Sequence, residues 1–125
     1  MPTPNLSFAI PQLPSGNLQR TLDFLRDRLG FTDFQLFAEH GHLISRRGQA
    51  EVHFWDAGSE EDALKFGSTS SCYIRVENIQ ALYEEFKTRE VRFRYGLTRQ
   101  PWGMNEMQVD DPYGNAIRFG EAVTS

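Results

Sequence analysis

Hydrophobic residues recur along this chain with two periods, one typical of helices and one typical of strands. In the first half a helical stripe follows Ser15-Gly16-Asn17 and stops at Gly30, and its members are Leu18, Leu22, Leu25 and Leu29. Residues three or four positions apart share one face of an α-helix, so the stripe predicts an amphipathic helix over 18–29. Three strands are predicted after it, over 33–39, 42–46 and 50–56.

The second half repeats this order. A β-prone segment over 70–76 precedes a helix over 79–88, whose apolar stripe consists of Ile79, Leu82, Tyr83 and Phe86. Further strands are expected near 92–96, 106–110 and 116–121. The repeat predicts an α+β fold of two tandem βαβββ modules, at about 1–57 and 68–125. The polar segment 58–67, which contains Glu60-Glu61-Asp62, is expected to be a solvated linker.

Two local features stand apart from the repeat. Near the start, the apolar segment 6–13 is interrupted by Pro11, which favours a sheet edge or an exchanged arm. Near the end, Trp102 lies between a proline and a glycine, so its ring is expected to stand out from a stiff corner and face a ligand. The following Asp111–Gly114 segment has the residue types of a tight turn between two strands.

Composition narrows the class of protein. A chain of 125 residues has the usual size of one domain, so 1–125 is expected to be a single domain. Ten Phe, four Tyr and two Trp predict an aromatic interior or cleft, and the net charge of −4 argues against nucleic acid as a partner. A single Cys72 fits a reducing compartment. With no apolar run of membrane-spanning length and no signal-peptide pattern, we expect a cytoplasmic protein with no membrane partner.

Several of these segments resemble one known family. The paired module order, the Arg28-Leu29-Gly30-Phe31 helix end, and Gln100-Pro101-Trp102-Gly103 ahead of an Asp-Pro-x-Gly-Asn turn are similar to the bleomycin resistance proteins. These belong to the vicinal oxygen chelate superfamily, with glyoxalase I, extradiol dioxygenases and fosfomycin resistance enzymes. The resemblance covers nearly the whole chain. It implies a cleft-bearing curved mixed sheet and a domain-swapped homodimer whose two ligand sites are completed by both subunits.

The resemblance also implies what the cleft does. Family members bind bleomycin-type glycopeptides and sequester them without catalysis or a cofactor. The superfamily's metal ligands, carried over onto this chain, fall near Ile10, on His53, near Ser71 and on Arg118. Only His53 could ligate, and an arginine would place a permanent positive charge against a metal ion, so no metal is expected. The alternative is a glyoxalase-like or dioxygenase-like metalloenzyme with a divergent site built around His53 and Glu106 or Glu51.

Strand periodicity sorts the residues that face such a cleft, because successive side chains point to opposite faces. Apolar platforms are expected from the aromatic residues Trp55, Tyr73 and Trp102. Polar partners are expected from His53, Arg75, Glu106, Gln108 and Arg118. Such a surface suits a small aromatic ligand, a bleomycin-type antibiotic or another aromatic compound.

Several of these assignments remain open at this point. Trp55 and Tyr73 could equally be structural aromatics, and His53 could be an ordinary cleft or core histidine. Arg75 and Arg118 could pair with Glu106 or Asp110, or receive an anionic group of a ligand. Because bleomycin is cationic, two arginines in the cleft bear directly on the identity of the ligand.

Overall fold

The computed structural model describes residues 2–124 as eight strands and three helices. The first six elements are β1 (Gln12–Ser15), α1 (Leu18–Asp27), β2 (Asp33–Phe37), β3 (His42–Arg47), β4 (Ala50–Asp56) and α2 (Glu60–Gly67). The remaining five are β5 (Ser71–Arg75), α3 (Ile79–Thr88), β6 (Phe93–Arg99), β7 (Met104–Asp110) and β8 (Ala116–Ala122). The predicted α+β class and βαβββ order are confirmed. Residues 1 and 125 of the expected single domain lie outside the described residues.

The strands form two four-stranded mixed sheets, one from each module. Their orders are β1-β4-β3-β2 and β5-β8-β7-β6, which are the same arrangement repeated. In each sheet the first strand is parallel to the last, and the other neighbours are antiparallel. The duplication predicted from the sequence is therefore present in the topology.

Helix α1 begins and ends with the signals predicted for it. The Asn17 side chain accepts a hydrogen bond from the backbone N–H of Arg20 at 3.0 Å, which caps the first turn. After the helix, Gly30 takes a φ of +71°, and the Phe31 N–H returns to the Leu25 carbonyl at 3.0 Å. In the second module Glu90 takes the corresponding left-handed conformation, with a φ of +59°, before the buried Val91.

The linker predicted over 58–67 is wrong, because most of it forms α2. The Ser59 hydroxyl caps this helix by accepting from the Asp62 N–H at 3.0 Å, and three acidic residues of its first turn suit the positive end of the helix dipole. Ala63 and Gly67 are buried against the domain. The serine followed by three acidic residues is therefore the start of a helix and not a loop.

The N-terminal strand is shorter and later than the segment 6–13 suggested. Only Gln12–Ser15 pairs, at the edge of the first sheet, so the predicted edge position is confirmed. Residues 2–11 have no regular secondary structure, and Leu6 and Phe8 are 95% and 86% exposed. The structure describes one chain, so exchange of this arm between subunits stays a prediction.

The core lies between the helices and one face of each sheet. Its largest buried side chains include Leu25, Phe54, Phe86, Met107 and Ile117. Cys72 also lies in this core, where burial raises the pKa of its thiol to about 11, so it is a small hydrophobic residue as expected. The alternation predicted for β4, β5 and β8 holds, whereas residues 106–109 of β7 are all buried. The face of each sheet opposite the core is left to the candidate site residues.

The turn between β7 and β8 joins the two modules. The Gly114 N–H donates to the Asp111 carbonyl at 3.0 Å, which closes the predicted tight turn. The buried Asn115 side chain then donates to the Asp111 carboxylate at 2.7 Å and to the Pro14 carbonyl in β1 at 2.8 Å. This motif therefore holds the second module against the first strand of the chain.

Candidate ligand-binding site

Trp102 occupies the hairpin turn between β6 and β7. The Gly103 N–H donates to the Gln100 carbonyl at 3.1 Å, and Gly103 has a φ of +81°, a backbone conformation that glycine adopts without steric cost. The indole ring is 65% exposed. The predicted exposed aromatic corner is therefore present, and it lies next to the cleft face of β7.

The indole is held in place by a buried carboxylate. Glu106 on β7 is only 3% exposed, and its Oε2 accepts a hydrogen bond from Trp102 Nε1 at 3.0 Å. The same oxygen accepts from the hydroxyl of Tyr73 on β5 at 2.7 Å. Glu106 thus fixes two aromatic side chains that come from different parts of the chain.

Tyr73 reaches Glu106 because β8, which lies between β5 and β7, carries a glycine at the crossing point. Gly120 is in register with Glu106 on one side and with Arg75 on the other. A Cβ at position 120 would overlap the phenol of Tyr73. Burial, followed by the hydrogen bond to Glu106, raises the pKa of Tyr73 to about 12, so its hydroxyl is a stable donor at neutral pH.

The two arginines predicted for the cleft do not pair with carboxylates in the part of the chain from 2 to 124. Arg118 Nε donates to the side-chain oxygen of Gln108 at 2.9 Å, and the Gln108 amide donates to Asp110 at 2.9 Å. Asp110 is already paired with Arg94 at 2.7 Å. The Arg75 guanidinium lies 5.9 Å from the centre of the Tyr73 ring, a cation–π contact. Of the two alternatives left open for Arg75 and Arg118, pairing with Glu106 or Asp110 is therefore not found among the described residues.

An open cavity of about 450 Å³ lies beside Trp102 and Glu106. The residues that line it are Tyr73, Tyr95, Gln100, Trp102, Glu106 and Arg118. Four of them are sequence-predicted site residues. Tyr95 and Gln100 were missed. Strand alternation places Tyr95 on the same face of β6 as Phe93 and Leu97, which pack against the core, and the register of β6 against β7 is irregular on both sides of Tyr95.

Two other predicted residues, His53 and Trp55, lie on the first module's sheet. The His53 imidazole lies between two partners, with its Nε2 at 2.6 Å from a Glu51 carboxylate oxygen and its Nδ1 at 3.2 Å from His42 Nε2. Trp55 is in register with His42 and packs against Phe66 of α2, with ring centres 5.9 Å apart. The predicted cleft residues are thus divided between two sheets, and His53 and Trp55 do not line the cavity that Trp102 lines.

The strand register shows which residues are opposite His53 and Arg118, the two metal-ligand positions that the resemblance assigns to single residues. Gln12, and not Ile10, is opposite His53, while Tyr73, and not Ser71, is opposite Arg118. Tyr73 and Arg118 are poor ligands for a divalent ion. Between residues 2 and 124, no group of three or more His, Cys, Asp or Glu side chains is arranged to hold a metal ion.

A larger cavity, of about 620 Å³, is lined by Arg75 but by none of the other predicted site residues. It is found between the β3–β4 turn and α3, on the core side of the sheets. Its polar rim is an ion pair in which the Arg47 guanidinium donates twice to Glu85, at 2.7 Å each. We place the candidate site in the smaller cavity, because its aromatic rings and buried carboxylate can both orient and hold a planar ligand.

Residues 7–119 match the model of the glyoxalase/bleomycin resistance protein/dioxygenase superfamily. The chain belongs to this superfamily. A bleomycin resistance protein of Geobacillus stearothermophilus is 30% identical, over 94% of this chain and 98% of the relative. The superfamily resemblance inferred from the sequence is therefore confirmed.

Two solved structures of similar proteins share the fold. One is a bleomycin-binding protein from the bleomycin producer Streptomyces verticillus, in complex with copper(II)-bleomycin, with a TM-score of 0.76 and 25% identity over 98% of this chain and 100% of the other. The second is a bleomycin resistance determinant encoded on the transposon Tn5, with a TM-score of 0.76 and 24% identity over 94% and 98% of the two chains. Within residues 2–124 of this protein the longest helices have ten residues, and none could cross a membrane.

Proposed function

We propose that this protein binds a bleomycin-type glycopeptide, or a related aromatic small molecule, and confers resistance by sequestering it without catalysis. The observation that carries the proposal is Trp102, an exposed indole fixed by Glu106 at the mouth of a cavity. An aromatic ring that is already held in position loses little conformational entropy when a planar group stacks on it. The family relationship to a bleomycin resistance protein supports this ligand class.

The polar residues support binding rather than chemistry. In the second module, the positions that would supply metal ligands are Tyr73 and Arg118, which already bond to Glu106 and Gln108. Cys72 is buried with a raised pKa, so it is a poor nucleophile. We therefore infer that the protein acts as a stoichiometric binder. A cytoplasmic location, which its single free cysteine favours, stays part of this proposal.

We also propose that two copies complete the site. His53 and Trp55 lie on one sheet while Trp102 and Tyr73 lie on the other, so a second copy could bring one sheet of each subunit to face the other. Exposed apolar side chains that a partner could cover are Leu6, Phe8, Ile10, Leu36, Phe37, Leu64 and Phe66. Apolar surface of this extent is a common feature of subunit interfaces.

Isothermal titration with metal-free bleomycin, beside elemental analysis of the purified protein, tests the function. Saturable binding of one molecule per subunit with no bound metal is expected. A Gln49→Ala variant, at the rim of the larger cavity, is the matched control and should bind equally well. Absence of binding would overturn the ligand class, and about one Zn, Ni, Mn or Fe per subunit would instead favour a metalloenzyme.

Sedimentation tests the dimer separately. The expected mass is twice the 14.4 kDa of the chain. Deletion of the first ten residues should weaken association if the arm is exchanged, because Leu6 and Phe8 would then be buried against the partner. A monomer at micromolar concentration would contradict the dimer but leave the ligand class open.

A further inference from the structure

Glu106 is a buried carboxylate without a positively charged neighbour. Its side chain is 3% exposed, and in the described range 2–124 no Lys, Arg or His nitrogen lies within 4 Å of its oxygens. Its hydrogen bonds come from two neutral donors, Tyr73 and Trp102, and both go to the same oxygen, Oε2. A buried charge without a counter-ion is costly, so a cation that entered the cavity would stabilise it.

The surroundings of Glu106 suit an organic cation. Three of the six residues that line the cavity are aromatic, and they are Tyr73, Tyr95 and Trp102. Aromatic faces attract ammonium and sulfonium groups through their quadrupoles, most strongly when the cation is partly removed from water. A carboxylate at the base of an aromatic enclosure adds a full opposite charge to that attraction.

The nearby arginines do not already neutralise this carboxylate. Arg118 also lines the cavity, but its Nε is held by Gln108 at 2.9 Å, and the Arg75 guanidinium lies over the Tyr73 ring. The cavity therefore contains an acidic side chain, Glu106, and a basic side chain, Arg118, that are not hydrogen-bonded to each other. A ligand with a cationic group at one end and carbonyl oxygens further along would match both side chains.

We propose that Glu106, enclosed by Tyr73, Tyr95 and Trp102, is the specificity-determining residue for the organic cation of the ligand. The inference rests on the proposed function for the location of the site and adds the chemical class of the group bound there. It also accounts for a cationic ligand in a cleft that contains an arginine, since Glu106 is not hydrogen-bonded to Arg118 and Arg75 does not line this cavity.

Three small probes of similar shape test this proposal without requiring bleomycin. They are benzyltrimethylammonium, its uncharged carbon isostere neopentylbenzene, and the anion phenylmethanesulfonate, each titrated against intrinsic tryptophan fluorescence in a Trp55→Phe background, so that the signal comes from Trp102. The cation is expected to bind on the order of tenfold more tightly than the uncharged isostere. Equal binding of the two, no binding of the cation, or tightest binding of the anion would each overturn the proposal.

Glu106→Gln removes the charge while keeping an oxygen that can accept from Tyr73 and Trp102. It should abolish the preference for the cation and leave the uncharged probe unaffected. Asp110→Asn is the matched control, because Asp110 lies on the same strand face but is already paired with Arg94. An unchanged preference in Glu106→Gln, or an equal loss in Asp110→Asn, would contradict a local role for Glu106.

Bleomycin titrations of the same variants separate this inference from the proposed function. If the wild-type protein binds the cation probe but not bleomycin, the proposed function fails and the cation site stands. If the wild type and Glu106→Gln bind bleomycin with equal affinity, the proposed function stands and the inference fails.

Discussion

The hydroxyl of Tyr73 on β5 donates a 2.7 Å hydrogen bond to Glu106 on β7, across the strand that separates them. The bond links two edges of the candidate site that are 33 residues apart in the sequence. It requires that the intervening residue of β8, Gly120, has no side chain. A glycine inside a strand thus has a functional explanation here, because it lets a side chain cross close to the backbone.

Gly120→Ala should therefore displace Tyr73 from Glu106. We expect bleomycin affinity to fall by roughly tenfold, because one wall of the cavity would lose its anchor. In a Tyr73→Ala background the same glycine substitution should have almost no further effect, since the overlapping phenol is gone. Isothermal titration of the wild type, the two single variants and the double variant measures this coupling. Additive losses of affinity would show that Gly120 and Tyr73 act independently.

The titration of Tyr73 reports on the same bond. Burial and then the hydrogen bond to Glu106 raise the pKa of Tyr73 to about 12, so the folded protein holds this proton more tightly than the unfolded chain does. Its contribution to stability should be complete below the ordinary tyrosine pKa near 10 and be lost as the pH rises from about 10 to about 12. Glu106→Gln should lower the Tyr73 pKa, as measured by NMR of the ring carbon next to the hydroxyl. An unchanged value would mean that burial alone sets it.

Much of the fold was predictable because local signals and tertiary structure agree. The stripe ending at Leu29, the Gly30 stop and the alternation in β4 and β8 each reflect burial on one face of an element, which a sequence records directly. Helix α2 was missed because its stripe is only eight residues long and its start is strongly acidic. Both features are also typical of a surface loop.

The candidate site was only partly predictable because its contacts are long-range. Strand alternation predicted that Tyr73, Glu106 and Arg118 face a cleft, and in the structure all three line one cavity. It gave no information on which cleft-facing residues share a sheet, so Trp55 and His53 were grouped with residues of the other module. Nor could it show that Glu106 would be bonded to Trp102 rather than to an arginine, since both are plausible partners for a carboxylate.

Asn115 should be a major determinant of stability rather than of ligand binding. Its buried amide donates to Asp111 and to the Pro14 carbonyl, 101 residues away in the sequence. Asn115→Ala leaves both acceptors buried without this donor, so we expect a loss of roughly 2–4 kcal/mol in the free energy of unfolding. Chemical denaturation measures the loss, with the exposed Asn5→Ala as the control. A change below about 1 kcal/mol would indicate that water replaces the amide.

Glu90→Gly is expected to stabilise the protein. Glu90 holds a left-handed backbone conformation at the end of α3, where the first module has Gly30. Such a conformation costs a non-glycine residue on the order of 1 kcal/mol, partly offset by the greater flexibility of glycine in the unfolded chain. The Glu90 side chain is 85% exposed, and its ion pair with Arg28 is long, at 3.8 Å. Removal of this side chain should therefore cost little stability. Thermal denaturation should show a higher midpoint for Glu90→Gly but not for Glu90→Ala.

Trp102 should be the largest single contributor to ligand affinity. Stacking on its ring contributes on the order of 1 kcal/mol beyond the area that a ligand covers. Adding the area lost on truncation, Trp102→Ala should weaken binding by roughly 2–3 kcal/mol, or about 30- to 150-fold. The indole is 65% exposed and lies on a turn, so the melting temperature should change little. Trp102→Phe should recover part of the stacking but not the hydrogen bond to Glu106. A large drop in melting temperature with unchanged affinity would instead make Trp102 a structural residue and move the ligand site elsewhere.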